Sequence, residues 1–193
     1  MKTLLTLFVL LFPSSVFAED DISDFEIEGM SIGDSLLDYF SEEEIKKEIL
    51  ATRYMYEFLS DEFGEVYLYN KFEIYEQLSF FVKPKDKDYK IYAIRGMIVE
   101  NDLNKCLTLK DSINQEISAI FKYAEKQDTE FSYRADPSGN SKGYITKYFL
   151  MSGHNIFVNC ALFEETIKEK NDWINGLDVV IQHKEVTEWF DEN

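Results

Sequence analysis

Residues that commonly carry proton transfer, metal binding and phosphate binding are scarce in this chain. It has two histidines and two cysteines among 193 residues. It has no glycine-rich phosphate loop, no His-Glu-x-x-His helix and no EF-hand loop, so nucleotide, zinc-protease and EF-hand calcium chemistry have no motif to rest on. His154 and His183 have no tight ligand spacing to either cysteine, so no metal site and no cofactor is expected. Positive charge is also short. The 20 basic residues face 37 acidic ones, for a formal net charge of −17. Such a chain repels a phosphate backbone and an anionic bilayer surface, which excludes nucleic acid as a partner, and it attracts a basic one. No apolar run reaches the roughly 20 residues that a membrane span takes.

The amino-terminal end reads as an address. Lys2 supplies a positive start, Leu4–Phe12 is apolar except for Thr6, and Val16-Phe17-Ala18 offers compact residues for cleavage after Ala18. Residues 1–18 are therefore expected to be a secretory signal peptide. The mature chain is then expected in the periplasm or outside the cell, without a transmembrane segment. In an oxidising compartment an even pair of cysteines usually joins, so Cys106 and Cys160 are expected as a disulfide; two buried thiols are the alternative.

Periodicity divides the rest. Ser31 with Asp34 and Ser41 with Glu44 have capping-box spacing, each ahead of an apolar helical stripe. From Phe72 to Val82 apolar and polar residues alternate, broken once at Glu76, and Tyr89–Val99 returns as a second strand after a charged turn with Pro84. Thr108 with Asp111 repeats the capping spacing ahead of Ile113, Ile117, Ile120, Phe121 and Ala124. Residues 128–142 read as a loop. Tyr144–Met151 and Ile156–Phe163 read as a hairpin, Leu177–Ile181 as a last strand and Glu185–Phe190 as a short helix. The expected fold is α+β: an antiparallel sheet with helices on one face. Ser31-Ile32-Gly33-Asp34-Ser35-Leu36 lines up with Thr108-Leu109-Lys110-Asp111-Ser112-Ile113. That match divides the mature chain into two helix–hairpin halves, residues 19–101 and 102–193.

The opening segment from Asp24 to Phe40, with Gly29-Met30-Ser31-Ile32-Gly33-Asp34 at its centre, resembles a family of exported proteins of marine bacteria that has no assigned function. The order of strand, helix and hairpin is also similar to the SmpA/OmlA-type outer-membrane-assembly lipoproteins and to the β-lactamase inhibitory proteins. Those resemblances imply work by protein binding. This chain lacks the lipid-bearing cysteine of the lipoproteins.

Aromatic residues are plentiful: 16 Phe, 12 Tyr and 2 Trp. Tyr54, Tyr56, Tyr67, Tyr69, Tyr75, Tyr89 and Tyr92 fall in the middle third. Tyrosines on the open face of a sheet make contact surface for a partner. Tyr67, Tyr69, Tyr75, Tyr89 and Tyr92 are thus the candidate binding surface, with Tyr75 on the outer face in phase with the polar residues of its strand. No catalytic residue is marked out. A non-catalytic binding module for another envelope protein or a basic ligand is expected, and a hydrolase of an envelope or imported polymer is the alternative.

Overall fold

A computed structural model describes residues 21–53, 62–69 and 72–192. Residues 1–18, Tyr54 and Tyr56 lie outside the described residues. Seven antiparallel strands form one sheet in the order β1-β2-β3-β7-β6-β5-β4. They are β1 (Gly64–Tyr69), β2 (Gln77–Val82), β3 (Ile91–Val99), β4 (Glu125–Ser132), β5 (Lys142–Phe149), β6 (Asn155–Leu162) and β7 (Gly176–Gln182). The helices are α1 (Glu42–Thr52), α2 (Leu103–Ile120), α3 (Glu165–Asn171) and α4 (Lys184–Glu192). The α+β class and the antiparallel sheet are as expected.

One face of the sheet carries the core. Alternation puts Val66, Leu78, Phe80, Ile94, Val158, Leu177, Val179 and Ile181 on it, all buried, and α1 and α2 cover it through Ile45, Cys106 and Ile117. The capping box of Ser41 and Glu44 starts α1 as its spacing predicts. Each half supplies a helix and then a three-stranded meander, α1-β1-β2-β3 and α2-β4-β5-β6. Because β3 and β6 both pair antiparallel with β7, they run parallel to each other on either side of it. With α1 and α2 on the same face, the two meanders approach β7 as mirror arrangements inside one sheet. The helix α4 packs on the opposite face, where Trp189 and Val186 form a smaller cluster with Phe63 and Ala93.

Several local expectations differ from the structure. Ser31 and Asp34 share a hydrogen bond, from the Ser31 amide to Asp34 Oδ2 at 2.9 Å, but it closes a turn; only a single 3₁₀ turn, Leu36–Asp38, follows. The helix α2 starts at Leu103, capped by Asp102, so Thr108 lies inside it with its hydroxyl bonded to the Asn104 carbonyl. Cys106 is therefore a helical residue in the first turns of α2 and does not precede the cap. The strand β2 begins only at Gln77; Glu76 lies just before it and accepts the Val99 amide through Oε2 at 3.0 Å. Residues 125–132, with 128–132 expected as loop, are the edge strand β4. Its charged, almost wholly exposed sequence shows no apolar alternation because neither face is buried.

Cys106 and Cys160 form the expected disulfide, with a Cα separation of 5.9 Å. Both are fully buried where α2 crosses β6. The bond closes a loop with a sequence separation of 54. In the chain-entropy account that restriction of the unfolded chain contributes about 4 kcal/mol. Replacing both cysteines by alanine is expected to lower unfolding stability by roughly this amount, read as an earlier urea midpoint at unchanged native circular dichroism.

Candidate functional site

The face of the sheet opposite α1 and α2 is only partly covered. At one end α4 lies across it, with Trp189 and Phe190 against Phe81 at ring-centroid distances of 6.2 and 5.6 Å. At the other end Tyr133, Phe163 and Trp173 pack together, with centroids 4.7–5.7 Å apart. Between them runs a trough made of two adjoining recesses. One, of about 220 Å³, lies beneath α4 and is mostly apolar, walled by Phe81, Val180, Val186 and Phe190. The other, of about 550 Å³, is mixed in character and reaches Tyr69, Met97, Trp173 and Asp178. Tyr67 and Arg95 border both.

Strand register explains the polar floor. Tyr67, Ser79 and Arg95 sit side by side across β1, β2 and β3, and Asp178 lies two residues along β7 from Val180, the partner of Arg95. Arg95 bonds Asp178 Oδ1 through Nε at 2.9 Å and through Nη2 at 2.8 Å. Burial works against the charge of Arg95, but Asp178, Tyr67 and Glu65 around it keep it firmly protonated. Burial pushes the Asp178 carboxyl above its ordinary range, and Arg95 pulls it back only in part. Glu65, on the same face of β1, is 3% exposed. Ser79 is 2% exposed, and its Oγ has no hydrogen-bond partner among the described residues. An unsatisfied buried hydroxyl costs about 1–3 kcal/mol, which a ligand atom can recover.

The five candidate tyrosines separate. Tyr67 and Tyr69 stand together on this open face, rings stacked 6.3 Å apart at 16°. Tyr92 lies on the same side near α4, edge-on to Phe63 and beneath the Lys83 ammonium. Tyr75 and Tyr89 are elsewhere. Tyr75 precedes β2, and its ring lies on the covered face against the main core, over Gly96, where a Cβ would come within 2.5 Å of it. The expectation that it faces outward therefore fails, because alternation begins only at Gln77. The Glu28 carboxylate accepts the amides of Glu73, Ile74 and Tyr75 and fixes that approach. Burial, followed by Glu28 and Glu116, pushes the Tyr75 hydroxyl up to about 12. Tyr89 is 4% exposed in the main core, held at φ +44° at the end of its turn.

The two histidines meet. His154, in the turn between β5 and β6, lies against His183 with ring centroids 4.5 Å apart. Its Nδ1 accepts the Lys184 amide at 3.0 Å, and His183 Nδ1 accepts the Glu185 amide at 3.3 Å. Gly29-Met30-Ser31-Ile32-Gly33 has the spacing of a nucleophile elbow, which sequence reasoning missed. Its context differs. The segment is a turn with positive φ at both glycines, and Ser31 Oγ donates to the Ser23 carbonyl at 3.1 Å. Both histidine Nδ1 atoms are engaged at the start of α4. Among the described residues no group of three or more His, Cys, Asp or Glu side chains is placed to hold a metal ion, and no helix is long and apolar enough to cross a membrane. No protein-family model, no curated protein and no solved structure matches the chain.

The Arg95–Asp178 pair predicts an asymmetry. Arg95→Met strips a buried carboxylate of its counter-charge. Asp178→Asn removes a charge that burial already disfavours and keeps an oxygen for the guanidinium. Because the pair is partly exposed, Arg95→Met is expected to cost about 2 kcal/mol, between the surface and buried limits. Asp178→Asn should cost clearly less, with both read by urea denaturation at neutral pH.

Proposed function

We propose that this chain is an exported protein of the periplasm or extracellular space and a non-catalytic binding module. It takes an extended segment of another envelope protein in the trough on its open sheet face. The observation that carries this proposal is the pair of recesses joined at Arg95 and Tyr67, with the unpartnered Ser79 hydroxyl in the floor. A recess of about 220 Å³ suits one apolar side chain as an anchor. The second recess offers Tyr67, Tyr69 and Trp173 to the polar length of the segment.

Charge argues for a basic segment. Arg95 is outnumbered in and beside the trough by Glu65, Asp172 and Asp178, and the chain carries −17 overall. A basic partner is drawn to such a surface and bound less tightly as salt rises. The signal-like residues 1–18 and the Cys106–Cys160 bond support export into an oxidising compartment.

Selection from a displayed random-peptide library tests the proposal. Bound peptides are expected to share one large apolar residue flanked by Lys or Arg. Val180→Trp, which fills the recess beneath α4, should weaken them about tenfold or more, ~1.4 kcal/mol. Peptides without that pattern, or undiminished binding to Val180→Trp, would refute it.

A further inference from the structure

We propose that α4 is a pH-released lid on the trough, latched at its amino-terminal end by the only two histidines of the chain. His154 sits in the turn between β5 and β6, and His183 follows β7 directly. Twenty-eight residues part them in sequence, yet their rings meet. Both act as acceptors, for the Lys184 and Glu185 amides that open α4. A neutral imidazole accepts at one nitrogen and carries its proton on the other, so both rings are held as the Nε2–H tautomer. The helix they secure supplies Val186 and Phe190 to the wall of the apolar recess.

Protonation undoes this arrangement in three ways. A proton on Nδ1 cannot coexist with acceptance of a backbone N–H, so each ring loses its bond to α4. Two positive rings 4.5 Å apart repel each other. Both charges also lie at the positive end of the helix dipole. Among the described residues, the charged groups facing the pair come from several elements. Lys83 follows β2; Lys184, Glu185 and Glu188 belong to α4; Asp21 lies near His154. Tyr92 of β3 presents only its ring edge-on to His183. Glu185 Oε1 is 3.8 Å from His183 Nδ1, but its Oε2 is bound to Lys83 Nζ at 2.6 Å, so that carboxylate is already shared.

Burial holds His183 below its ordinary value of about 6.5; Glu185 opposes the shift, Lys184 and Lys83 add to it, and Glu188 opposes it. A group depressed in this way when packed takes up protons on release. The docked state is therefore fully favoured above about pH 6.5 and loses ground as pH falls from there through the lowered value. The pH-dependence of α4 stands on its own contacts; only its meaning as a lid rests on the trough being a binding site.

The test needs no ligand. In Trp173→Phe the sole tryptophan is Trp189, buried on α4. Between pH 8 and pH 5 its emission is expected to shift to the red while far-ultraviolet circular dichroism keeps the sheet signal. In the same background His154→Gln/His183→Gln should abolish the shift, because a glutamine oxygen accepts an amide at any pH. An emission maximum that does not move, or a shift that survives both glutamines, overturns the latch. Nitrogen-15 spectra of the wild-type imidazoles decide independently if the double variant does not fold. Both rings must be Nε2–H at pH 8, and an Nδ1–H ring or a His183 that titrates at or above 6.5 refutes the proposal. A docked, pH-insensitive α4 defeats the lid whatever binds in the trough, and a failed peptide selection leaves the pH response standing.

Discussion

The structure depends on β7 pairing along both of its edges. Seven residues late in the sequence join two meanders that otherwise have no strand contact with each other. Leu177, Val179 and Ile181 carry the core continuously from the α1 side to the α2 side. The intervening residues, Asp178, Val180 and Gln182, face the other way and line the trough. One strand thus joins the core and furnishes the middle of the candidate site. His183, the residue after it, turns the chain onto the opposite face as α4.

The uncovered face combines features that stability alone does not ask for. An ion pair in which burial outweighs the attraction on one partner is a weak source of stability. A buried serine hydroxyl without a partner is a cost. Both lie in the same row of the sheet or next to it, between two aromatic walls, while the opposite face carries the main apolar core. Such concentrated local conflict is characteristic of surfaces shaped for contact.

Much of the fold was legible because its strands are half-buried. Alternation marked the β2–β3 and β5–β6 hairpins and the last strand, and the Ser41–Glu44 box marked α1. Where burial does not follow apolarity, the signal failed. The strand β4 has charge on both faces. The inner side of α2 is polar in places: Lys110 and Asn114 are buried there, and Asn114 bonds Thr146 and accepts the Tyr148 hydroxyl. The apolar stripe consequently becomes visible only after the helix has begun. At the site, Tyr67 and Tyr69 lie on the open face, although no periodicity marks β1 as a strand. Tyr75 and Tyr89 lie elsewhere, since neither is in a strand. Arg95 and Asp178 were visible in principle, as single charges inside apolar strands. The meeting of His154 with His183 had no local signal, because tertiary contact alone creates it.

The disulfide has a consequence for the order of assembly. Cys106 and Cys160 both precede β7, and the loop they close contains β4 and β5 whole. The second meander can therefore be stapled to its helix while the centre of the sheet is still missing. Until residues 176–182 arrive, β3 and β6 each present a row of unpaired backbone N–H and C=O groups to whatever strand is nearest. A chain truncated before Gly176 would keep both cysteines but lose the seam, and would offer two strand edges for self-association where the intact protein has one continuous sheet.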